Sequence, residues 1–372
     1  MKRVVVAMSG GVDSSVSAML LKQMGFDVVG ISLLLYETKT KAYGRTCCSV
    51  YDISDAERVA QKIKIPFYTV DMREEFRKYV IEDFINEYKN GRTPIPCVHC
   101  NNYLKFELLL KKAESLSADY LATGHYAIKL KDKGNLYVAK SIDQQKDQSY
   151  FLFGLTSEKL KKIIFPVGGL TKNIVRKIAQ EYNLPVANKR DSQDICFVEG
   201  REIKDVLKEF GIEERYGKIK DENGNYLGTH KGYYFFTLGQ RRGLGVRIGK
   251  PVYILNIDKT KNEIIVGDKE KLMQKKFCVE RFIFTNEYVE QRTQHGIECT
   301  IKVRYSHQGT KGIIFKRNNT IYVELYEPYG PIVPGQACVF YEENKVLGGG
   351  FISDRFDSDL QKNFTAVNSY KN

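Results

Sequence analysis

No run of apolar residues in this 372-residue sequence approaches the length a membrane-crossing helix needs, which argues against an integral helical membrane protein. The opening Met1-Lys2-Arg3 leads into a strand-like Val4-Val5-Val6 and not into a signal-peptide core, so a cytoplasmic protein without a membrane partner is expected. Histidine is scarce, five in all, and His230, His295 and His307 show no ligand spacing, which argues against a zinc centre. Internal repeats and low-complexity tracts are absent, which removes repeat architectures. Acidic residues are outnumbered, 45 against 58 basic, for a net charge of +13. That imbalance suits a polyanionic partner such as nucleic acid, although soluble proteins with no such partner can be equally basic. Eight cysteines without a secretory signal do not read as a structural disulfide framework and need a chemical explanation position by position.

What is present begins with Ser9-Gly10-Gly11-Val12-Asp13-Ser14-Ser15, between the apolar run Val4 to Met8 and a helical pattern of Val16, Met19, Leu20 and Met24 that Gly25 stops. Paired glycines let a backbone approach phosphate oxygens, and serine hydroxyls with the helix's unpaired N–H groups supply donors to an anion. Asp13 is unusual in an anion-binding loop and is expected to act through a divalent cation or as a helix cap. The plainer alternative is a capped Gly-Ser turn. No Gly-Lys-Ser/Thr ends the loop, so it is not a Walker A sequence. It resembles the SGGxDS signature of the ATP pyrophosphatases. That resemblance implies ATP, carried with Mg2+, cleaved between the α and β phosphates, with AMP left on a substrate oxygen.

Strand and helix patterns alternate through Val4-Met8, Asp13-Met24, Val28-Leu35, Ile53-Ile63, Phe67-Val70, Glu74-Tyr88, Tyr103-Leu116 and Tyr120-Thr123, with a further helix from Thr171 to Tyr182. The expected fold is α/β: an N-terminal doubly wound parallel-sheet domain over 1–205, a small β-rich central domain over 206–275, a C-terminal antiparallel β-barrel over 276–355, and a polar tail over 356–372. Ligands of such sheets sit beyond the carboxyl ends of strands, where the Ser9 loop and the Thr123-Gly124-His125 turn both fall.

The segment Gly91-Arg92-Thr93-Pro94-Ile95-Pro96-Cys97-Val98-His99-Cys100-Asn101 has two prolines that break the preceding helix, so its two cysteines are expected on a loop. Arg190-Asp191-Ser192-Gln193-Asp194-Ile195-Cys196-Phe197 places another cysteine among polar residues. Thiolates near cationic neighbours are nucleophiles and soft ligands, which points to sulfur chemistry. Together with Thr123-Gly124-His125-Tyr126-Ala127, Lys146-Asp147-Gln148-Ser149-Tyr150-Phe151-Leu152 and Lys231 to Leu244, these motifs resemble the tRNA-specific 2-thiouridylases from about Met1 to Ile352.

The resemblance implies adenylation of the uracil O2 at the wobble uridine of tRNA, followed by sulfur transfer from a protein persulfide with loss of AMP. It implies Cys196 as persulfide carrier and Cys100 as nucleophile, with a redox-active disulfide between them after turnover. The ATP site would comprise Ala7, Met8, Ser9, Gly10, Gly11, Val12, Asp13 and Ser14, with Leu33 against the adenine and Gly124 in the facing turn. The target base would lie against Ile95, Pro96 and Cys97; His125, Lys146, Asp147, Gln148, Arg304, Tyr305 and Gln336 would touch tRNA. Partners implied are tRNA and a persulfide donor, either a cysteine desulfurase or a relay protein.

Many members have Asp where this chain has Cys97 and Asn where it has Ile95. Cys97, Cys100 and Cys196 are therefore also an alternative set of iron-sulfur ligands that would deliver sulfide, and Cys97 alone could be a packed bystander. Cys47 and Cys48 are expected to be structural or incidental, and Cys278, Cys299 and Cys338 to be buried small hydrophobes. The basic, aromatic run from Lys231 to Leu244 suits an RNA backbone or support of the sulfur-transfer loop, or else a buried strand with a solvated Arg241-Arg242 turn. Two other functions share parts of this pattern: an amidoligase using the same ATP loop on a small molecule, and a binding-only RNA protein.

Overall fold

The computed structural model describes residues 1–36, 50–191, 195–198, 200–246 and 248–354. Cys47, Cys48, Ser192-Gln193-Asp194 and the polar tail lie outside the described residues. The chain forms two compact units, one of Met1–Glu82, Pro96–Arg201 and Asn344–Val346, the other of Asp83–Ile95, Glu202–Glu343 and the chain from Leu347 onward.

The first unit starts β1 (Arg3–Ala7), α1 (Val12–Gln23), β2 (Asp27–Leu34), α2 (Val50–Ile63), β3 (Phe67–Asp71) and α3 (Arg73–Phe76), the last running on through π-helical Arg77–Ile81, after which α4 (Glu82–Lys89) belongs from Asp83 to the second unit. It resumes with α5 (Pro96–His99), π-helical Cys100–Leu109, α6 (Leu110–Ser115) and β4 (Tyr120–Thr123). The hairpin β5 (Ala127–Asp132) and β6 (Asn135–Lys140), then α7 (Ser157–Leu160), β7 (Ile163–Ile164) and α8 (Lys172–Glu181), complete it. The sheet order is β3-β2-β1-β4-β7, with every pairing parallel. Strand order therefore reverses direction at β1 and β4, and the crevice outside their carboxyl ends is the switch point where such sheets bind ligands.

β1, β2 and β4 are buried along nearly their whole length, which is why they read as near-continuous apolar runs, whereas β3 at the edge is largely exposed. Val4, Val6 and Met8 pack with Val16, Ala18 and Leu21 of α1 and with Val175 and Ala179 of α8 in one core. Because α1 is enclosed, Ser14, Ser15 and Ser17 are buried too, and the hydroxyls of Ser15 and Ser17 donate back to the carbonyls of Gly11 and Asp13 at 2.8 Å. Met24, expected on the packed stripe, sits at the C-cap and is 68% exposed. Thr171 caps α8 by accepting from the Ile174 amide at 3.4 Å.

One expectation is corrected. The prolines do not leave Cys97 and Cys100 on a loop: Pro96 opens α5, where its missing N–H belongs to the first turn and costs no hydrogen bond, and helical backbone runs on through Cys100.

In the second unit α9 (Ile203–Glu209) precedes a four-stranded sheet of β8 (Gly217–Asp221), β9 (Tyr226–His230), β10 (Tyr253–Asp258) and β11 (Glu263–Gly267) in the order β10-β11-β8-β9. Lys231 to Leu244 forms no strand: Tyr233–Phe235 makes a tight 3-10 turn with Tyr233 and Tyr234 buried, while Arg241 and Arg242 are exposed.

A barrel follows, built from β12 (Gln274–Phe284), β13 (Ile297–Lys302), β14 (Thr310–Arg317), β15 (Thr320–Tyr329), β16 (Ala337–Glu342) and β17 (Lys345–Ile352), with α10 (Glu287–Arg292) after its first strand. Its order is β12-β15-β14-β13-β16-β17, and antiparallel pairing of Val279 with Ile352 and Ile283 with Gly349 closes it. Closure removes exposed strand edges. Cys278, Cys299 and Cys338 are buried, and burial pushes the Cys299 thiol up to about 12, so all three act as small hydrophobes.

A Cβ on Gly350 would stand 2.8 Å from the Glu280 carbonyl oxygen and 2.9 Å from the Phe282 Cα across the β12–β17 closure. Gly350→Ala should lower stability in denaturant unfolding by about 1–3 kcal/mol. Gly169→Ala, where no atom lies within 4 Å of the added carbon, should stay within about 0.5 kcal/mol.

Candidate active site

The Ser9 loop leaves β1 and enters α1 with Gly11 as N-cap and no side-chain cap. Asp13 is therefore not the cap. Its carboxylate accepts from Lys172 Nζ at 2.7 and 2.8 Å and from the Tyr126 hydroxyl at 2.7 Å. Burial and then the Asp13 charge hold the Tyr126 phenol protonated, well above its ordinary range. Gly10 takes a positive φ of 69° and lies so close to α2 that a Cβ would meet the Asp52 carbonyl oxygen at 2.1 Å. Lys189 spans this contact, donating to the Gly10 carbonyl at 3.1 Å and to Asp52 and Asp55 at 2.6 Å each. Burial works against that ammonium, but the two carboxylates outweigh it and raise its pKa.

The structure brings the Gly124 turn onto this loop. A Cβ on Gly124 would lie 2.6 Å from the Ser14 amide nitrogen and 2.8 Å from the Asp13 carbonyl carbon, so only glycine fits against the first turn of α1. Ala7, Met8 and Val12 continue the same strand and helix, with Met8 and Val12 buried. Ser9 and Ser14 face each other, their hydroxyl oxygens 3.4 Å apart. Leu33 is buried near the end of β2.

Both cysteine segments are fastened inside the same unit. Tyr36, just beyond β2, donates to the Cys196 carbonyl at 2.5 Å and stacks on Phe76, against which Phe197 packs edge-on. Asn101, beside Cys100, is buried and donates to the Phe151 carbonyl at 3.1 Å. Cys97 is exposed, and Cys100 and Cys196 are partly buried. Among the described residues no three His, Cys, Asp or Glu side chains are gathered as a metal would require, so Cys97, Cys100 and Cys196 do not fit a cluster-binding set.

The expected tRNA-facing residues divide. Asp147 is turned inward, accepting from the Ser141 and Ser149 amides and the Ser149 hydroxyl, so its carboxylate shapes the turn and does not face solvent. Gln148 accepts from the Tyr126 amide at 3.0 Å. Lys146 is half-exposed and paired with Asp191 at 2.6 Å. His125 contacts the Thr123 hydroxyl at 2.8 Å and packs between Phe106 and Phe165; burial, then Lys105, hold its pKa well below the usual imidazole value.

In the second unit Arg304 donates to the Tyr329 hydroxyl at 2.9 and 3.2 Å, Tyr305 is exposed, and His307 stacks on Tyr329 at 3.9 Å between ring centres. The Gln336 amide donates to the carbonyls of Thr93 and Pro94 at 3.0 and 3.1 Å, holding the backbone that leads into Ile95.

The sequence pattern did not point to Lys172, Lys189 or Tyr36, and it placed Tyr126 in the Thr123 to Ala127 motif without giving it a role. Each is remote from the loop it serves, and no local spacing marks it.

The geometry is an anion-binding loop flanked by two lysines, with two thiol-bearing segments on the same scaffold. Three family profiles match in order: the tRNA methyl transferase HUP domain over residues 2–200, the tRNA methyl transferase PRC-barrel domain over 204–268, and the aminomethyltransferase beta-barrel domain over 274–352. Full-length relatives decide among the readings such names allow. The tRNA-specific 2-thiouridylase MnmA of Wolbachia pipientis wMel is 46% identical over 354 residues, covering 94% of each chain. Those of Geotalea uraniireducens and Ehrlichia ruminantium (strain Welgevonden) are 46% and 43% identical, covering 94% of this chain and 95% and 94% of theirs. The chain belongs to the tRNA-specific 2-thiouridylase family. Membership accounts for the order of modules: the parallel-sheet domain of the family profile carries the ATP-type loop and all three candidate cysteines, while the central and barrel profiles match the β-rich remainder.

Two tests follow from this geometry. Gly124→Ala should weaken ATP binding about tenfold or more by calorimetric titration, because the added methyl displaces the first turn of α1. Burial, with Arg304 and Lys302, lowers the His307 pKa from 6.5 to about 4. Between those values the unfolded chain takes up a proton that the folded chain refuses, so stability is undiminished above pH 6.5, falls as the pH drops towards 4, and levels off below. The fall should reach at most about 3 kcal/mol by denaturant titration, and His307→Gln should flatten it.

Proposed function

We propose that this chain is a tRNA-uridine 2-sulfurtransferase, using ATP with Mg2+ to activate the wobble uridine and a cysteine persulfide to replace its O2 by sulfur. The observation that carries this reading is the joint presence, in one compact unit, of an SGGxDS loop at a helix N-terminus and of Cys100 and Cys196 on separately anchored segments. Its full-length relatives bear the name 2-thiouridylase.

A urea-like carbonyl is a poor electrophile, so its oxygen is first made a leaving group. The uracil O2 attacks the α-phosphorus of ATP, the bond to pyrophosphate breaks, and an O2-adenylate forms. The amides at the start of α1, with Gly10 and Gly11, are assigned to the phosphates, and Leu33 and Gly124 to the remainder of the nucleotide. The terminal sulfur of a Cys196 persulfide then attacks C2 and AMP departs with O2. Cys100 thiolate attacks the Cys196 Sγ; the S–S bond breaks, its electron pair returns to the sulfur on C2 as a thiocarbonyl, and a Cys100–Cys196 disulfide remains for an external thiol to reduce. The persulfide is recharged by a donor protein of the desulfurase or relay class.

The base must leave its stack to react. Ile95, Pro96 and Cys97 are assigned to it, with Cys97 as a contact and not a general acid, since a thiol does not reproduce a carboxylate. His125, the Lys146-Asp147-Gln148 turn, Arg304, Tyr305 and Gln336 are assigned to the tRNA, Asp147 through the shape of its turn. The working division is residues 1–205 for chemistry, 206–275 as a connecting β-rich domain and 276–355 for tRNA contact.

The deciding assay is release of AMP and pyrophosphate that depends on tRNA, alongside thiolation with a persulfide donor. Cys100→Ser and Cys196→Ser should each abolish multiple-turnover thiolation while leaving tRNA-dependent AMP formation detectable. Thiolation retained in both variants would defeat the mechanism.

A further inference from the structure

Sulfur transfer leaves the basic, glycine-rich end of the Lys231 to Leu244 run without a task. Within the second unit this end is clamped to β10 at its base: the Gly239 amide donates to the Ile254 carbonyl at 2.8 Å, and the Ile254 amide to the Gln240 carbonyl at 3.0 Å. The Gln240 side chain sets the turn that follows, accepting from the Thr237 amide at 3.1 Å and donating to the Arg242 carbonyl at 2.9 Å. Beyond that turn the backbone stops bonding to itself. Among the described residues the peptide N–H groups from Arg241 to Val246 have no acceptor, and the exposed Arg241 guanidinium has no carboxylate partner. Gly243 and Gly245 take φ of 75° and 72°, with Leu244 between them outside the left-handed region. Such alternation turns successive amides towards a common concavity, an arrangement that binds anions without a helix. Arg241, Lys250 and residues 243–246 line a cavity of about 210 Å³ here, and its lining holds no carboxylate and no aromatic ring. Lys250 is paired with Asp268 at 2.7 and 3.0 Å, so the unshared charge is that of Arg241.

We propose that this pocket holds a phosphate of the tRNA backbone, with Arg241 as the charged contact and the amides from Gly243 to Val246 as further donors. The inference rests on the sulfurtransferase reading above and gives the central β-rich domain a binding role of its own. An unshared cation beside unpaired amides, with no carboxylate in the lining to repel a ligand, selects an anion. The lining offers no ring on which a base would stack, so the contact is to the backbone and carries no sequence information. A guanidinium meets a phosphate through two parallel N–H bonds, which an ammonium does not reproduce. One unshared charge in an open loop is weak against water as a site for free phosphate. A phosphate of a polymer already bound elsewhere arrives at high effective concentration and needs no more than this.

The test is equilibrium binding of an unmodified tRNA transcript to the full-length protein across a series of salt concentrations. Arg241→Gln should weaken binding about tenfold at low salt and reduce the slope of log K against log salt by roughly 0.7–0.9, the loss of one phosphate contact. Arg241→Lys, which keeps the charge without the paired donors, should keep the slope and lose only part of the affinity. Lys259→Gln removes an exposed charge from the turn between β10 and β11 of the same domain and should change the affinity by less than about twofold. Equal loss in Arg241→Gln and Lys259→Gln is an effect of net charge alone and overturns the proposal, as does unchanged binding in Arg241→Gln. Thermal stabilisation by inorganic phosphate that Arg241→Gln removes, with tRNA binding unchanged, assigns the pocket to a free anion and also overturns it. Unsubstituted protein that releases no AMP in the presence of tRNA defeats the sulfurtransferase reading itself, a result distinguishable because no substitution is involved.

Discussion

The two-oxygen contact between Asp13 and Lys172 is the interaction on which the geometry of the nucleotide loop depends. A helix N-terminus presents unpaired amides and a partial positive charge, the setting a phosphate needs, yet here a carboxylate occupies the first turn. Lys172 bonds both oxygens of that carboxylate, and the Tyr126 hydroxyl donates to one of them. The loop thus keeps its anion-binding character without a lysine in its own sequence. The cations come from α8 and from Lys189 beyond it. Tyr126 carries the effect onward, because the turn that holds Gly124 against α1 also contains the residue bonded to Asp13.

Strand order explains why these contacts occur where they do. β1 and β4 are neighbours at the point where the sheet reverses direction, so the turns after them must meet. Their meeting requires a residue with no side chain, which Gly124 supplies. The end of β2 lies beside the same edge, and Tyr36 beyond it fixes the backbone of Cys196. Cys100 reaches the scaffold by another route, through Asn101 and Phe151. Two segments far apart in the chain are thereby held in one unit, each through a part-buried hydrogen bond.

Much of this was legible in the residues. The β-branched runs gave the parallel strands, the SGG loop gave the crevice, and the alternating runs after Phe277 gave a barrel that the structure closes between β12 and β17. What was not legible depended on tertiary placement. One of the two readings of Asp13, a helix cap, fails because its carboxylate is bonded to Lys172, 159 residues away. Asp147 read as a tRNA contact, since nothing local shows that Ser141 and Ser149 turn its carboxylate inward. The prolines before Cys97 read as breakers, although a proline that breaks one helix is also well suited to begin the next. Ser15 closes the loop read as an anion site, and its hydroxyl donates to the Gly11 carbonyl one turn back, a partner that the sequence does not show.

The same reasoning changes the meaning of Gln336. Pro94 and Pro96 have no N–H, so the segment from Thr93 to Pro96 has few means of organising itself, and the carbonyls of Thr93 and Pro94 need donors from elsewhere. The side-chain amide of Gln336 supplies both, from a turn whose Gly335 lies so close that a Cβ would meet the Thr93 carbonyl oxygen at 2.9 Å. Arg92, next in the segment, is held by the buried Glu87 carboxylate, which Arg281 also reaches. The backbone that enters Ile95 and Pro96 is therefore presented by barrel and helix residues, not by its own turn chemistry. A change at Gln336 would alter how the Thr93 to Ile95 backbone is held, even where that residue touches no nucleotide. A contact assigned from sequence to tRNA is, in the structure, first a support for the residues assigned to the base.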